Sequence, residues 1–298
     1  MKDVITLIEK ISVQDQFQEQ YLKGILDTLT DLEKHSLADI ISFFKAQGFD
    51  LDYQTRAYIL IVQDTMKEQK YFFDHKKYRY STYKEVAGHV YDDPEYMRLY
   101  MVGLILSQYF WNIHRSMMRH FREITKGVSG KKYLEIGPGH GQYFADAMQN
   151  MHFDEFLAVD VSATSVEMTK AFVAHTLKNS SVKYDVIHKN FFDFDDSAQF
   201  DAVVMGEVLE HVEDPLSFLK KIRSVASENA FIYITTVINA PAIDHIYLFR
   251  NRDEVLDVVN RAGLSVVSYK EFTPQPSISV EKAIRKEYPI DIALILKR

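Results

Sequence analysis

From Met1 to about Phe121, apolar positions recur at three- and four-residue intervals, the period that lines one face of a helix. Ile5, Ile8 and Ile11 form one stripe, and Tyr21, Ile25, Leu29 and Leu32 a second. Ile40, Ile41, Phe43 and Phe44 follow Ser36, which is placed as an N-cap, while Tyr58, Ile61, Val62 and Met66 mark a fourth helix. A long helix is expected from Pro94 to about Arg122. Asp93 would cap it, and Pro94 would occupy its first turn, where a missing N–H costs nothing. Lys126 to Lys132, with Gly127 and Gly130, reads as a linker.

Beyond Lys131 the period changes. Short apolar runs suited to buried strands cover Lys132–Ile136, Phe156–Asp160, Lys183–His188, Ala202–Met205, Phe231–Val237, Ser265–Tyr269 and Asp291–Leu296. Helical segments such as Ser162–Leu177 and Pro215–Ala226 separate most of them. This alternation predicts an α/β architecture: a seven-stranded, mostly parallel sheet with helices on both faces over residues 126–298. No clear helix separates the last two runs, so they are expected to form an antiparallel hairpin at the sheet edge. Residues 1–125 are expected to form an all-helical region that contributes to a substrate pocket or to a homodimer.

Composition narrows the function classes. The 298 residues are 47% hydrophobic and 26% charged, values of a chain that buries a full core, and the net charge of −7 argues against gripping long nucleic acid through its phosphates. The absence of cysteine excludes disulfides, thiolate metal sites and thiol nucleophiles. Residues 1–10 lack the apolar run of a signal peptide, and no stretch is long and apolar enough to span a bilayer, so a cytoplasmic location is the default expectation.

Four segments carry candidate chemistry. Glu135-Ile136-Gly137-Pro138-Gly139-His140-Gly141 follows the first strand, and glycines there let backbone approach a ligand without an intervening Cβ. The pattern alone also fits a plain strand-to-helix turn. A nicotinamide-cofactor fingerprint fails, because its third glycine would fall at Gln142. Asp160, followed by Val161, ends the second strand, where an acid can accept bonds from ribose hydroxyls. Asn190-Phe191-Phe192-Asp193 follows the third strand; Asn190 is placed to bond an adenine edge while Phe191 or a neighbour packs on its face. Phe200 to Val212 is a fourth strand running toward a helix start. In this order the segments resemble class I (seven-stranded, Rossmann-like) S-adenosylmethionine (SAM)-dependent methyltransferases over about residues 125–298. The resemblance implies that Glu135, Gly137, Gly139 and Gly141 shape the methionine and ribose site and that Asp160 holds the ribose. The chain departs from many members in having Asn190 where they carry Asp.

Glu207, Glu210 and His211 are spaced to share one helical face at the carboxyl end of the fourth strand, and Asp244-His245 follows the fifth strand across the same rim. Glu207, Glu210, His211 and His245 suit a divalent ion, Mg²⁺, Mn²⁺, Fe²⁺ or Zn²⁺. The alternative is that Glu210 and His211 only cap and pack a helix. The E-x-x-E-H pattern with a downstream D-H is similar to ubiquinone-pathway O-methyltransferases and to enzymes that methylate the 2′-hydroxyl at small-RNA 3′ ends. The expected reaction is an in-line attack of a substrate oxygen, nitrogen or carbanion on the sulfonium methyl. Glu207, His211 and His245 are the candidate catalytic residues, with a metal lowering the pKa of a substrate hydroxyl or a histidine acting as base.

The segment Tyr71–Ser81, rich in aromatic and basic residues, is a candidate for binding a planar or acidic small substrate; Tyr109, Trp111 and His114 are further candidates to face the pocket. A small-molecule acceptor is the favoured partner. An RNA end would instead require a basic groove near Lys76, Lys77 and Arg79, and a non-catalytic SAM-binding protein is the third reading.

Overall fold

The computed structural model describes residues 1–88, 90–178, 181–195 and 197–298. The amino-terminal part is helical: α1 (Lys2–Gln14), α2 (Gln16–Thr28), α3 (Asp31–Ala46), α4 (Leu51–His75), α5 (Tyr83–Ala87), α6 (Pro94–Phe110) and α7 (Asn112–Thr125). The remainder alternates: β1 (Ser129–Ile136), α8 (Gln142–Asn150), β2 (His152–Asp160), α9 (Ala163–Thr176), β3 (Tyr184–His188), β4 (Phe200–Met205), α10 (Pro215–Val225), β5 (Ala226–Ile238), α11 (Arg252–Arg261), β6 (Ser265–Phe272), α12 (Val280–Lys286) and β7 (Ile290–Lys297).

Three expectations for the helical part need correction. Ser36 lies inside α3, whose cap is Thr30. The Thr30 side chain accepts from the Glu33 N–H while the Glu33 carboxylate accepts from the Thr30 N–H, and this reciprocal pair satisfies two end donors where Ser36 could satisfy one. The single long helix is two, broken at Trp111 in an extended conformation (φ −94°, ψ 129°). No glycine or proline marks the break; distant side chains hold it. Tyr21 Oη donates to the Phe110 carbonyl (2.9 Å), Arg115 to the Tyr109 carbonyl (2.9 Å), and the Trp111 indole to Tyr58 Oη (3.2 Å). The carbonyls freed by the break therefore keep partners. Third, the linker is shorter than expected. Gly127 makes the turn at φ 77°, but Gly130 already belongs to β1.

The sheet order is β3-β2-β1-β4-β5-β7-β6, and β7 runs antiparallel to both of its neighbours. β6 and β7 pair at the edge as expected, but the short α12 lies between them in sequence, so the connection is not a tight hairpin. Alternation along the strands sends two sets of side chains to opposite faces. Tyr133, Val204, Tyr233 and Ala293 join a core with the amino-terminal helices; Leu134, Val203, Ile234 and Leu294 join a second core with α10 and α11. The helical part therefore shares one continuous core with the sheet. Its central strut, α6, packs so tightly on α4 that a Cβ at Gly103 would lie 2.5 Å from the Ala57 carbonyl oxygen.

Candidate functional site

β1 ends at Ile136, and the chain then turns through Gly137, Gly139 and Gly141 at φ 67°, 56° and 83°, the left-handed region that glycine enters without strain. The three differ in surroundings. A Cβ on Gly137 would strike the Val208 side chain at 2.6 Å, and one on Gly141 would come within 3.0 Å of Thr169 Cα. On Gly139 it would meet nothing nearer than Met101 Sδ at 3.8 Å, so this glycine turns a bare face to a cavity of about 1080 Å³.

Asp160, at the end of β2, staples the loop in place. Its Oδ2 accepts from the Gly139 N–H (3.2 Å) and its Oδ1 from the Ser162 N–H (2.8 Å). Each oxygen keeps acceptor capacity for a ligand hydroxyl. Burial raises the Asp160 pKa to about 6, against the pull of these N–H groups. Glu135, on β1, also lines the cavity, its carboxylate accepting from Tyr133 Oη (2.6 Å), and burial raises its pKa to about 8. Val161, Asn190 and Phe191 also line the cavity. Asn190 Oδ1 caps the following turn by accepting from the Phe192 N–H (3.0 Å). Phe191 is mostly committed to the core against Phe218, whereas Phe192 is 47% exposed and offers the freer ring. The bare face of Gly139 and the spare acceptors of Asp160 fit an adenosyl group.

At the other end, the structure brings Glu210, His211 and His245 together, with one potential ligand atom of each within 4.8 Å of the others. Backbone bonds assemble them. The N–H groups of Ile246 and Tyr247 both donate to the Glu210 carbonyl at 2.9 Å, pinning the segment after β5 to the segment after β4. His211 Nδ1 lies 3.0 Å from the Asp244 carbonyl and His245 Nδ1 2.6 Å from the Ala240 carbonyl. A carbonyl only accepts, so both Nδ1 atoms carry hydrogen, which leaves Nε2 as the ring atom to face a cation, the arrangement that orients a metal-binding histidine. Burial lowers the His245 pKa to about 4. Glu210 is fully buried; its Oε2 accepts from Thr236 Oγ1 (2.8 Å) while Oε1 has no hydrogen-bond partner, its neighbour being His211 Nε2 at 3.9 Å. Two ring nitrogens and an orphaned carboxylate oxygen fit a divalent cation.

Glu207 departs from expectation. It is not helical but adopts φ 53°, held by its N–H donating to Thr235, so it does not share a helical face with Glu210 and His211 and does not belong to their ligand set. Its pKa is raised to about 7 by burial. Asp244 does lie at the rim, but its carboxylate is occupied, accepting from Tyr91 Oη (3.2 Å) and Tyr100 Oη (3.0 Å). These tyrosines tie the helical part to the histidine pair, and no spacing rule announced them. Asp291 was missed as well; the available signal was an acid inside the apolar run of β7.

The basic aromatic segment Tyr71–Ser81 does not line the cavity. Lys76 pairs with Glu287, and Arg79 Nε donates to both carboxylate oxygens of Glu68 at 3.0 Å. Trp111 and His114 do face the cavity, as do Tyr83, Tyr91 and Tyr100, whereas Tyr109 is buried behind it and receives a bond from Gln142 Nε2 (2.8 Å).

The methyltransferase domain family matches residues 109–269, more than half of the chain. The chain is 32% identical over 122 residues to a mitochondrial ubiquinone biosynthesis O-methyltransferase of Schizosaccharomyces pombe, covering 41% of this chain and 43% of that protein. It is 25% identical over 119 residues to a ubiquinone biosynthesis O-methyltransferase of Acinetobacter baylyi, covering 40% and 49%. It thus spans less than half the length of these relatives. A solved mycolic acid cyclopropane synthase, complexed with S-adenosylhomocysteine (SAH) and CTAB, shares the fold at 11% identity and a TM-score of 0.50, over 62% of this chain and 84% of that one. With the strand order, the glycine turn and Asp160 all in place, the family match shows that the chain belongs to the class I SAM-dependent methyltransferases.

Proposed function

We propose that the protein methylates a hydroxyl of a small molecule, with a divalent cation held by Glu210, His211 and His245. One observation carries the reading: a single cavity joins the glycine turn and Asp160 to the two histidines beneath an aromatic helical roof. Bound SAM supplies a methyl group on a sulfonium, and a bound cation lowers the pKa of a coordinated hydroxyl. The protein's own part is positional. Asp160 and Gly139 fix the cofactor end, while Asp244, Tyr91 and Tyr100 orient His211 and the roof. Tyr83 and Tyr91, stacked with ring centroids 5.6 Å apart, and Trp111 offer flat walls to a planar acceptor and exclude water from the reacting atoms.

The lining supports a small acceptor over a nucleic-acid end. Lys189 is the one Lys or Arg among the described residues around the cavity, whereas carboxylates recur along it. Phosphodiesters need the reverse balance. The test is methyl transfer from labelled SAM to a series of catechols and phenols, before and after exhaustive treatment with a chelator. Transfer that disappears on chelation and returns with one divalent ion is the expected result. Full activity in metal-free protein would remove the cation from the account.

A further inference from the structure

Beside the proposed cation site lies a second group of polar atoms that no part of that chemistry uses. Glu207 Oε1, Asp291 Oδ2 and Tyr143 Oη are each buried without a hydrogen-bond partner, and all three residues line the cavity. Tyr233 Oη, directly behind, is orphaned too. Strand register explains the grouping. Asp291 on β7 is opposite Val237 on β5, two residues from Thr235 and four from Tyr233, so all four side chains rise on the face turned to the cavity. Thr235 in turn holds the Glu207 backbone.

Unsatisfied groups at this density are costly in a folded protein unless a ligand completes them. The chemistry of that ligand follows from the donor set. Two carboxylates need a partner rich in N–H donors, and phenol oxygens also accept. No Lys or Arg lies among the described residues lining this end of the cavity, since Lys189 belongs to the Asn190 side. From this geometry we infer that Glu207, Asp291 and Tyr143 form a subsite for an ammonium group carried by the methyl acceptor. The acceptor would then be a hydroxylated amine, anchored by its nitrogen at β7 and presenting its hydroxyl toward His211 and His245. The inference rests on the methyltransferase reading above. It differs from a place for the amino group of SAM itself, which would leave the subsite filled whenever cofactor is bound.

The experiment uses protein saturated with SAH, whose own binding is measured first and tests the underlying reading separately. Three ligands of nearly one shape are then titrated by calorimetry: tyramine, the uncharged 4-propylphenol, and 3-(4-hydroxyphenyl)propanoate. Tyramine is expected to bind about tenfold more tightly than 4-propylphenol, and the anion more weakly than either. In Asp291→Asn the tyramine preference should fall to near one, while thermal stability holds or rises, because the variant relieves a buried carboxyl that has an oxygen without a partner. A structural role for Asp291 would instead lower the melting temperature. Tyr143→Phe provides the same comparison from a different element. Tyramine that fails to saturate, or that binds no better than 4-propylphenol, overturns the subsite. So does a preference that survives both substitutions.

Discussion

The two ends of the cavity are built by different means. The cofactor end is mostly backbone: a glycine turn at the tip of one strand, held by an aspartate at the tip of the next, with N–H groups paired at 2.8 and 3.2 Å. The acceptor end is mostly side chain, drawn from β7, from the segments after β4 and β5, and from helices far away in sequence, and several of its polar atoms have no partner. A site closed on itself in this way is suited to one invariant ligand. A site with orphaned groups is waiting for its ligand to complete it, and is where specificity resides.

The largest effect should come from cutting the staple between the two strand tips. Asp160→Ala removes two backbone partners and the proposed ribose acceptor together, and SAH affinity should fall roughly 100-fold, measured by calorimetry. An affinity within threefold of the parent would show that the cofactor lies elsewhere. Next, His245→Ala should leave SAH affinity unchanged yet weaken divalent-cation binding on the order of 10-fold or more, with turnover falling in step. Equal losses at both ends would erase the contrast between them.

Smaller effects probe the helical roof. Gly103→Val drives a side chain into the α4 backbone and should cost about 1–3 kcal/mol in denaturant unfolding. Tyr100→Phe strips one donor from the buried Asp244 carboxylate and should cost about 1–2 kcal/mol, lowering turnover without altering SAH affinity. A pH slope probes the cofactor end separately. An acid whose folded pKa exceeds its unfolded value contributes stability that is complete below the unfolded value and lost as pH rises through the folded one. Glu135, raised from 4.5 to about 8, and Asp160, raised from 3.8 to about 6, therefore predict that ligand-free protein loses stability between about pH 4 and pH 8. Saturating SAM, whose charge favours the ionised acids, should flatten that slope in thermal melts.

The difference between the ends also decides how much the sequence discloses. Gly137, Gly139, Gly141 and Asp160 are legible because each acts within a few residues of a strand end, where local backbone geometry determines residue type. The seven strands are legible for the same reason, their period being local. Glu207 was misplaced because its role depends on a left-handed backbone imposed by Thr235 on a neighbouring strand, while helical spacing suggested a shared face. The break at Trp111 was invisible because Tyr21 and Tyr58, remote in sequence, supply its bonds. Asp291 and the Tyr91–Asp244–Tyr100 clamp exist only through tertiary contact, and an isolated acid in an apolar strand is a weak sign on its own.

The central claim is that cofactor and acceptor meet in this one cavity, and a crystal structure grown with SAH and Mn²⁺ tests it most directly. The account predicts the ribose hydroxyls on Asp160, the adenosyl group over Gly139, and an anomalous peak between Glu210, His211 and His245 on the side toward which the sulfur points. SAH bound away from Asp160, or manganese found only at surface carboxylates, would contradict it.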